Sequence, residues 1–552
     1  MNALTTISIG IVGAAGRGGS FRSAFEANGA RITAVCDLRK DKLDECRRTL
    51  GAAEAYTDYL EMLDKAPIDA VVIGTPMQLH VPQSIEALTR GKHVLCEVPA
   101  AVSIDECREL VSAAAASKAI YMMAENYTYI KSNVFVRALA AAGLFGTVYY
   151  AEGEYLHELK ELNEVTKWRR HWQTGIPGVT YCTHSLGPIL QWMPGDRVTR
   201  VCCEDTTFRY RDRRDEPYGQ TTPVMLCKTA KGALIKIRVD MLSNRPHAMT
   251  NYQLQGSDGC YESARGGPGD VHKICLRELD HEMHWHDLDA VMQTVFGQLL
   301  DAAWRTPPEE AKRAGHGGGD YFEVLDFLSA VRGETPCRIG IHDAMDMTLP
   351  GLVSQQSATQ DGAWLNVPDS RQWLQNPPRR QLHMLWPERL RDTPPVPRVA
   401  DGYELRQLAD GEEDAYIALV KKADLASFTR EQVEGIKRSV LPGGLFVIAH
   451  RATGALVATS IAQHRATELH PHGGEVGWIA ADPEHKGKGL GLAVTAAATA
   501  RFIAAGYRRI YLSTDDFRLP AIAVYLKLGF EPLMYAPDMA DRWAAVRAQL
   551  SR

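Results

Sequence analysis

The sequence predicts a three-part α/β protein: a doubly wound parallel sheet, an open antiparallel-sheet domain, and a smaller α/β domain at the carboxyl end. Short apolar runs alternate with helical stretches up to about residue 125, and longer β-like segments follow as far as about residue 275. A proline-rich run from Asn376 to Pro397 then precedes a compact last stretch. Strand-helix alternation is typical of doubly wound sheets, whereas consecutive strands favour antiparallel pairing.

Length and composition limit the class of protein. The chain has 552 residues, 45% of them hydrophobic and 23% charged, with a formal net charge of -5. That length corresponds to about three or four domains, and the composition excludes disordered and fibrous chains. No apolar run is long enough to span a membrane, and the basic residues are too scattered for a dedicated nucleic-acid binder.

The start of the chain and its cysteines predict a location. The first ten residues lack the basic region and cleavage site of a secretory signal. The 11 cysteines contain no C-x-x-C pair, which fits reduced thiols better than disulfides or a structural zinc site. We therefore expect a cytoplasmic protein without a metal site.

The proline run sets the main domain boundary. Repeated prolines disfavour helix and withhold hydrogen-bond donors from a sheet, so we interpret this stretch as an extended connector. The predicted organisation is a dinucleotide-binding domain at 1–125, a substrate domain at 126–376, a linker at 377–401 and a third domain at 402–552.

The first predicted strand runs into a glycine-rich turn. Gly13 and Gly18 occupy the first and third positions of a dinucleotide fingerprint, with Ala15 in the middle. These glycines permit a tight turn and close helix packing beside a pyrophosphate. Asp37 ends the second strand, where a carboxylate accepts ribose hydroxyls and repels a 2'-phosphate, which favours NAD, although nearby Arg39 leaves NADP open. The predicted cofactor contacts are Gly13, Ala15, Gly16, Arg17, Gly18, Asp37, Thr75, Pro76, His80 and Glu97.

The segments Gly74-Thr75-Pro76 and Glu97-Val98-Pro99 follow the next strands. With the glycine turn they resemble the Gfo/Idh/MocA oxidoreductase family over roughly residues 5 to 375. The resemblance implies a Rossmann domain joined to an antiparallel-sheet substrate domain, in chains that often form homo-oligomers. Val98 stands where sugar dehydrogenases of the family carry a lysine, and Thr180 where they carry an aspartate. Because valine cannot transfer a proton, simple alcohol dehydrogenation by that apparatus is in doubt.

The run from Tyr181 to Pro188 is similar to the Y-P-T-H-x-L-G-P stretch of glycoside hydrolase family 109, with Cys182 in place of proline. These NAD-dependent α-N-acetylgalactosaminidases also carry E-V-P. The resemblance implies redox-assisted cleavage, in which C3 is oxidised, the C1 substituent is eliminated after loss of the C2 proton, and water addition and re-reduction follow. The candidate catalytic residues are Tyr181 and His184 as bases with lowered pKa, Glu154 or His157 for the leaving group, and His247 and Tyr321.

The last domain contains a second glycine-rich helix start. Successive amides there form an anion cradle, and the spacing from Lys486 to Gly491 resembles the R/Q-x-x-G-x-G/A signature of GNAT acyltransferases. A second motif, from Arg518 to Phe530, strengthens the resemblance, which covers about residues 402 to 537. It implies that Tyr525 protonates the CoA thiolate and that Glu475 deprotonates the acceptor amine through water. The implied acetyl-CoA contacts are Ile479, Ala481, Lys486, Gly487, Lys488, Gly489, Leu490 and Gly491.

Together these patterns predict a bifunctional enzyme that uses NAD and acetyl-CoA on a sugar, amino sugar or aminocyclitol. Two alternatives stay open: a net sugar or cyclitol dehydrogenase fused to an acetyltransferase, and a ligand sensor without turnover. Intact Tyr181, His184 and Tyr525 argue against the sensor. We expect a small-molecule substrate and a homo-oligomer, and neither nucleic acid nor a membrane as partner.

Overall fold

The computed structural model describes residues 6–375, 381–423, 425, 428–467, 469–536 and 538–550. The chain divides into two compact units, Met1–Pro377 and Pro378–Arg552. The first unit contains two sheets and the second unit contains one. The predicted fold class is confirmed.

The first sheet is parallel throughout, with strand order β3-β2-β1-β4-β5-β6. Its central strands are almost fully buried, as helices on both faces require. The order reverses between β1 and β4, which opens a crevice at the carboxyl ends of the strands. The strands are β1 (Ser8–Val12), β2 (Arg31–Cys36), β3 (Glu54–Tyr56), β4 (Ala70–Ile73), β5 (His93–Glu97) and β6 (Tyr121–Ala124), and the helices are α1 (Arg22–Ala27), α2 (Lys40–Leu50), α3 (Tyr59–Lys65), α4 (His80–Thr89) and α5 (Ile104–Ala116).

The second sheet has nine strands and is open. All its pairs are antiparallel except β7 with β10, so the sheet is mixed. Its strands are β7 (Val148–Leu156), β8 (Val198–Glu204), β9 (Val224–Thr229), β10 (Leu234–Asp240), β11 (Ala248–Gly256), β12 (Gly259–Glu262), β13 (Lys273–Leu276), β14 (His286–Asp287) and β15 (Leu365–Asn366). The helices are α6 (Lys131–Ala141), α7 (Lys160–Val165), α8 (Lys167–Trp172), α9 (Thr183–Trp192), α10 (Leu288–Met292), α11 (Ala302–Arg305), α12 (Glu309–Arg313), α13 (Gly319–Val331), α14 (Ile341–Ala358) and α15 (Ser370–Gln375).

The third sheet forms the second unit, with strand order β17-β18-β19-β20-β21-β16-β22. Strands β20 and β21 are parallel but pair only at Gly474–Ile510 and Glu475–Tyr511, so they diverge afterwards. The strands are β16 (Leu382–Leu385), β17 (Tyr403–Gln407), β18 (Val440–His450), β19 (Leu456–His464), β20 (Gly474–Ala481), β21 (Ile510–Thr514) and β22 (Glu531–Pro532), and the helices are α16 (Glu413–Lys422), α17 (Arg430–Ser439), α18 (Leu490–Ala504), α19 (Leu519–Leu528) and α20 (Met539–Leu550).

Strand β16 corrects the prediction that 377–401 is only a linker. Residues 376–380 lie outside the described residues, but Leu382–Leu385 pair antiparallel with β21 and also contact β22. Leu382 and Met384 are fully buried in the core of this unit. The alternating apolar side chains of this short strand outweigh the prolines that surround it.

Three chemical features of the described residues bear on the predictions. The 11 cysteines are all free thiols. In the described part of the chain, no group of three or more His, Cys, Asp or Glu side chains is placed to hold a metal ion. None of the helices described combines the length and apolar character needed to cross a bilayer.

Candidate active sites

The turn after β1 is packed as its glycines predict. Gly13 has a φ of +76°, and a Cβ there would lie 2.6 Å from the carbonyl oxygen of Gly74. A Cβ on Gly18 would lie 2.9 Å from the side chain of Ile11. A 3-10 helix, Arg17–Phe21, follows the turn. The backbone of the turn is therefore held against β1 and β4, as a close approach to a dinucleotide requires.

Asp37 ends β2 beside this turn. One carboxylate oxygen accepts a hydrogen bond from the Ala15 amide at 2.9 Å, and the other accepts from the Arg39 side chain and amide, both at 3.0 Å. Burial alone would raise the pKa of Asp37, but these hydrogen bonds lower it below its ordinary value. Asp37 is therefore a carboxylate at the position where the fingerprint places the ribose contact.

Arg17 bonds to two acidic side chains, Glu97 at the end of β5 and Asp320 on α13. Its Nε donates to Glu97 at 2.7 Å, and its two Nη atoms donate to both oxygens of Asp320 at 3.0 and 3.1 Å. Asp320, at the start of α13, also contacts Nδ1 of His316 at 2.9 Å. Although burial opposes ionisation, these partners lower the pKa of Asp320 to about 2. The network ties the cofactor turn to the second domain.

His80 has both ring nitrogens engaged by backbone. Nδ1 lies 2.8 Å from the Pro99 carbonyl oxygen and Nε2 lies 3.0 Å from that of Thr75. Burial lowers the pKa of His80, but the Cys96 thiol and these carbonyl groups together raise it to about 9. His80 is thus a charged clamp that links two crevice loops. Both its ring nitrogens bond to backbone carbonyl oxygens, so neither is free to contact a cofactor.

This clamp predicts a pH-dependent stability. Because the folded-state pKa lies above the unfolded value of 6.5, the contribution is complete below about pH 6.5 and is lost as the pH rises through about 9. The shift corresponds to about 3 kcal/mol. We expect the free energy of unfolding in urea to be lower for His80→Gln than for the wild type. This difference should be about 3 kcal/mol larger at pH 6 than at pH 9.5. An equal difference at both pH values would contradict the charged clamp.

Glu125 and His184 form the central contact of the crevice. Glu125 follows β6 and is fully buried, and one of its oxygens lies 2.6 Å from Nδ1 of His184 in the first turn of α9. Its other oxygen accepts from the Thr128 amide at 3.0 Å. Nε2 of His184 lies 3.4 Å from the Tyr181 hydroxyl. The carboxylate therefore orients the imidazole toward Tyr181.

The predicted lowering of the Tyr181 pKa is wrong. Burial raises the pKa of Tyr181 to about 12, and the positive charge of Arg169 only partly opposes this shift. Tyr181 therefore carries its proton at neutral pH. It can donate a hydrogen bond, whereas the free electron pair for a base in this contact belongs to His184.

Aromatic rings surround the pair. Tyr127 stacks on His184 with ring centroids 4.1 Å apart, and Tyr155 lies 5.3 Å from the same ring. The Tyr155 hydroxyl contacts Nδ1 of His157 at 2.8 Å. Burial, together with the nearby His247, lowers the pKa of His157 to about 4, so this imidazole is neutral at neutral pH. His247 is exposed and packs edge-on against His157 at 4.4 Å.

Two predicted catalytic residues lie elsewhere. Neighbouring residues of a strand point to opposite faces, and Glu154 faces away from Tyr155, contacting Asn251 at 3.3 Å and Arg238 at 3.9 Å. Tyr321 follows Asp320 on α13. Because successive side chains of an α-helix are about 100° apart around its axis, Tyr321 does not share the direction of Asp320. Its carbonyl accepts from Asn28 near the end of α1, and its ring packs on Phe322. Neither position fits the predicted role.

The catalytic and cofactor-binding residues predicted from the sequence do not include several residues at this site. They lie at the ends of strands or in the first turns of helices, where the parallel sheet opens its crevice. Glu125 could have been identified from the sequence, because it directly follows β6 and ligand-binding residues lie at the carboxyl ends of parallel strands. Tyr127, Tyr155 and Arg169 line the cavity, whereas Glu125 and Asp320 lie beside it, in contact with His184 and Arg17.

The crevice is large enough for the predicted ligand. A cavity of about 980 Å³ includes the turn from Gly13 to Arg17, Asp37, and the Tyr181 and His184 side chains in one continuous lining. The glycine turn accepts no Cβ at Gly13, and Asp37 is held as an anion beside it. These residues fit a dinucleotide with a sugar-sized ligand beyond it.

The second unit presents the predicted anion cradle. Gly487 and Gly489 have φ of +83° and +72°, and a Cβ at either would meet nothing within 4 Å. Helix α18 begins at Leu490. Its first backbone hydrogen bond runs from the Ala493 amide to the Gly489 carbonyl oxygen. Among the described residues, the amides of 487–492 have no acceptor. They therefore fit a pyrophosphate. Beyond Glu475, strand β20 pairs with β19 but no longer with β21, so the edge of Ile479 and Ala481 that faces β21 is unpaired.

Glu475 lies on β20 just before this divergence. It is buried, and its oxygens contact Ser513 Oγ at 3.1 Å and Arg465 Nη1 at 3.0 Å. Tyr525, on α19, is buried in the core of the unit, and burial raises its pKa. The Tyr525 phenol is thus protonated at neutral pH, as a general acid requires.

Three family models match the chain. The NAD-binding Rossmann fold of the Gfo/Idh/MocA oxidoreductase family matches residues 7–125. The C-terminal domain of glycosyl hydrolase 109 matches 219–374, and the acetyltransferase (GNAT) family matches 407–530.

Curated relatives cover about two thirds of the chain. A glycosyl hydrolase family 109 protein of Saccharopolyspora erythraea is 29% identical over 397 residues, covering 66% of this chain and 83% of the relative. An α-N-acetylgalactosaminidase of Shewanella oneidensis is 27% identical over 398 residues, with coverage of 66% and 85%.

Solved structures share the fold over a similar length. Levoglucosan dehydrogenase in complex with NADH and L-sorbose has a TM-score of 0.57 at 18% identity, covering 66% of this chain and all of the other. The WlbA dehydrogenase of Bordetella pertussis, in complex with NADH and UDP-GlcNAcA, has a TM-score of 0.53 at 19% identity, with coverage of 67% and 99%. The chain is therefore an enzyme that joins an NAD-binding oxidoreductase domain and a family 109-type domain to a GNAT acetyltransferase domain, and its cofactors are NAD and acetyl-CoA.

Proposed function

We propose that the first unit cleaves the glycosidic bond of an amino sugar or N-acetylamino sugar by a route that consumes no net NAD. The observation that carries the proposal is the Glu125–His184 contact beside a protonated Tyr181, in the cavity that the cofactor turn also lines. Val98 stands where the resembling dehydrogenases carry a lysine. The name of the Shewanella oneidensis relative supports the sugar class.

NAD would be held by the turn from Gly13 to Arg17 and by Asp37. When bound, it supplies a reversible hydride acceptor for a sugar carbon. The chain contributes the remaining requirements, which are orientation of the sugar and movement of its protons. Glu97 lines the same cavity, but its carboxylate is engaged by Arg17, so we assign it to holding the turn.

Glu125 fixes which nitrogen of His184 is free. With a carboxylate 2.6 Å from Nδ1, the Nδ1 proton stays in that contact and Nε2 is left as a proton acceptor. We assign His184 as the base that takes a proton from the sugar and Tyr181 as a hydrogen-bond donor to a sugar oxygen. His157 is neutral because of its lowered pKa, and its Nδ1 faces the protonated Tyr155 hydroxyl. Its own proton would then lie on Nε2 and donate a hydrogen bond to the leaving-group oxygen, which takes its proton from water.

A single experiment separates this function from net oxidation. The full chain would be incubated in D₂O with NAD⁺ and 4-nitrophenyl α-N-acetylgalactosaminide. We expect 4-nitrophenol release without accumulation of NADH, and one deuterium at C2 of the sugar product. NADH formed in proportion to product would instead assign a dehydrogenase.

We propose that the second unit transfers the acetyl group of acetyl-CoA to an amine. The free amides of 487–492 support the pyrophosphate site, and Glu475 lies at the divergence of β20 and β21 as the base. Physical linkage of the two units supports an amino sugar or aminocyclitol as the substrate class that both use.

Tyr525→Phe tests the acid of this transfer. Loss of the phenol proton should lower acetyl transfer to glucosamine about 100-fold, with little change in acetyl-CoA affinity and no change in glycoside cleavage. Tyr507→Phe is the matched control, because among the described residues the Tyr507 hydroxyl contacts His464 alone. Equal losses in the two variants would contradict the assignment.

A further inference from the structure

Strand β16 brings a histidine to the polar face of the third sheet. His383 is paired with Ser513 in the antiparallel register, and Glu475 is paired with Tyr511. Residues two apart on a strand share a face, so these four side chains lie on the same side of the sheet. The Ser513–Glu475 hydrogen bond of 3.1 Å agrees with that placement. His383 precedes the region that the GNAT model matches, which begins at 407.

A chain of hydrogen bonds fixes the proton of His383. Arg509 Nε donates to Nδ1 of His470 at 3.1 Å, and Nε2 of His470 lies 2.8 Å from Nδ1 of His383. Arginine can only donate, so Nδ1 of His470 is an acceptor. His470 is fully buried, and its pKa is lowered to about 4 by burial and the nearby His383 and Arg509. It is therefore neutral, with its one proton on Nε2.

That proton is donated to Nδ1 of His383. Burial also lowers the pKa of His383, where Glu475 and Arg465 act in opposite directions, so this ring is neutral and carries its own proton on Nε2. The His470 ring stacks on Tyr511 at 3.7 Å, and Tyr535 packs edge-on against His383 at 5.0 Å. Ring orientation and tautomer are therefore both fixed.

Nε2 of His383 has no hydrogen-bond partner among the residues that the structure describes, and the side chain is only partly buried. A fixed donor thus faces outward beside the proposed base Glu475. We propose that His383 determines acceptor specificity in acetyl transfer by donating its Nε2 proton to an oxygen of the amine substrate. The substrate class is an amine with a hydroxyl or carbonyl oxygen near the nitrogen. This inference rests on the proposed acetyltransferase function and deepens it.

The role of His470 follows from the same geometry. It does not face the acceptor, so it is a positioning residue that holds the His383 tautomer. Loss of its Nε2 donor would free His383 to rotate and to place its proton on either nitrogen. Substitution of His470 should therefore change acceptor choice as substitution of His383 does, and it should leave acetyl-CoA binding unchanged.

The test compares glucosamine with cyclohexylamine, a ring amine without oxygen. In the full chain, His383→Phe should lower kcat/KM for glucosamine about tenfold and that for cyclohexylamine less than about twofold. Acetyl-CoA affinity, measured by calorimetry, should not change. His472→Asn is the control, because His472 is exposed and its φ of +57° suits asparagine. His470→Phe, which keeps a ring stacked on Tyr511 but removes the Nε2 donor, should shift the same ratio as His383→Phe.

The outcomes separate the two proposals. Equal losses for both amines in His383→Phe, or no loss, would overturn the specificity role of His383. A wild-type enzyme that acetylates cyclohexylamine in preference to glucosamine would also overturn it, whereas one that acetylates neither amine would contradict the proposed acetyl transfer itself. A wild-type enzyme that does not bind acetyl-CoA would instead overturn the proposed function of the second unit, on which the inference rests.

Discussion

Replacing His184 by alanine is expected to lower glycoside cleavage by about 10² to 10⁴-fold, the usual contribution of a general base. Within the Glu125–His184–Tyr181 contact we assign the base to the imidazole, because the Glu125 oxygens are engaged by His184 and the Thr128 amide and burial raises the pKa of Tyr181 to about 12. The rate of 4-nitrophenol release at saturating NAD⁺ measures the loss. The dissociation constant of NAD⁺, measured by calorimetry, should change little.

Glu154→Gln is the matched control for that experiment. Glu154 was a predicted catalytic residue, but it lies on the face of β7 opposite Tyr155, against Asn251 and Arg238. Its substitution should leave cleavage within about twofold of the wild type. If Glu154→Gln lost as much activity as His184→Ala, the leaving-group role would return to Glu154 and the assignment of the site to the other face would fail.

These two residues show how far the sequence predicts the first site. Strand-helix alternation and the spacing from Gly13 to Asp37 depend on local chemistry, so the parallel sheet and its cofactor turn follow from the sequence. Whether Glu154 or Tyr155 faces the crevice depends on strand register, which the β7 segment alone does not specify. Glu125 and His184 are 59 residues apart in the chain, and only the packing of α9 against the 3-10 helix Asn126–Tyr129, which follows Glu125, shows that they meet.

The pKa values were equally beyond sequence reasoning. Tyr181 belongs to a motif that predicts a catalytic base, yet burial keeps its phenol protonated. Burial and the nearby His247 lower the pKa of His157 instead and keep its imidazole neutral. Both shifts depend on three-dimensional surroundings, which a motif does not contain.

The segment around β16 shows a different limit. Its prolines correctly indicate that helix is disfavoured. They also suggest an extended connector, so the four-residue strand between them is not predicted. The strand is visible only as two apolar positions, Leu382 and Met384, separated by His383. So short a pattern becomes meaningful only when β21 and β22 supply its partners. Residues 382–385, which precede the matched GNAT region, are thus part of the third sheet.

Met384→Asp in the full chain should therefore abolish acetyl-CoA binding and leave NAD⁺ binding unchanged. Met384 is fully buried between β21 and β22, in the core cluster that also contains Leu512 and Trp543. An unpaired carboxylate there, added to the loss of a buried side chain, should cost at least about 4 kcal/mol, a large part of the stability of a small domain. Calorimetry with each cofactor measures the two affinities separately. Gln381→Glu, exposed at the start of the same segment, is the control that should bind both cofactors. If Met384→Asp kept wild-type affinity for acetyl-CoA, residues 382–385 would be a dispensable connector after all.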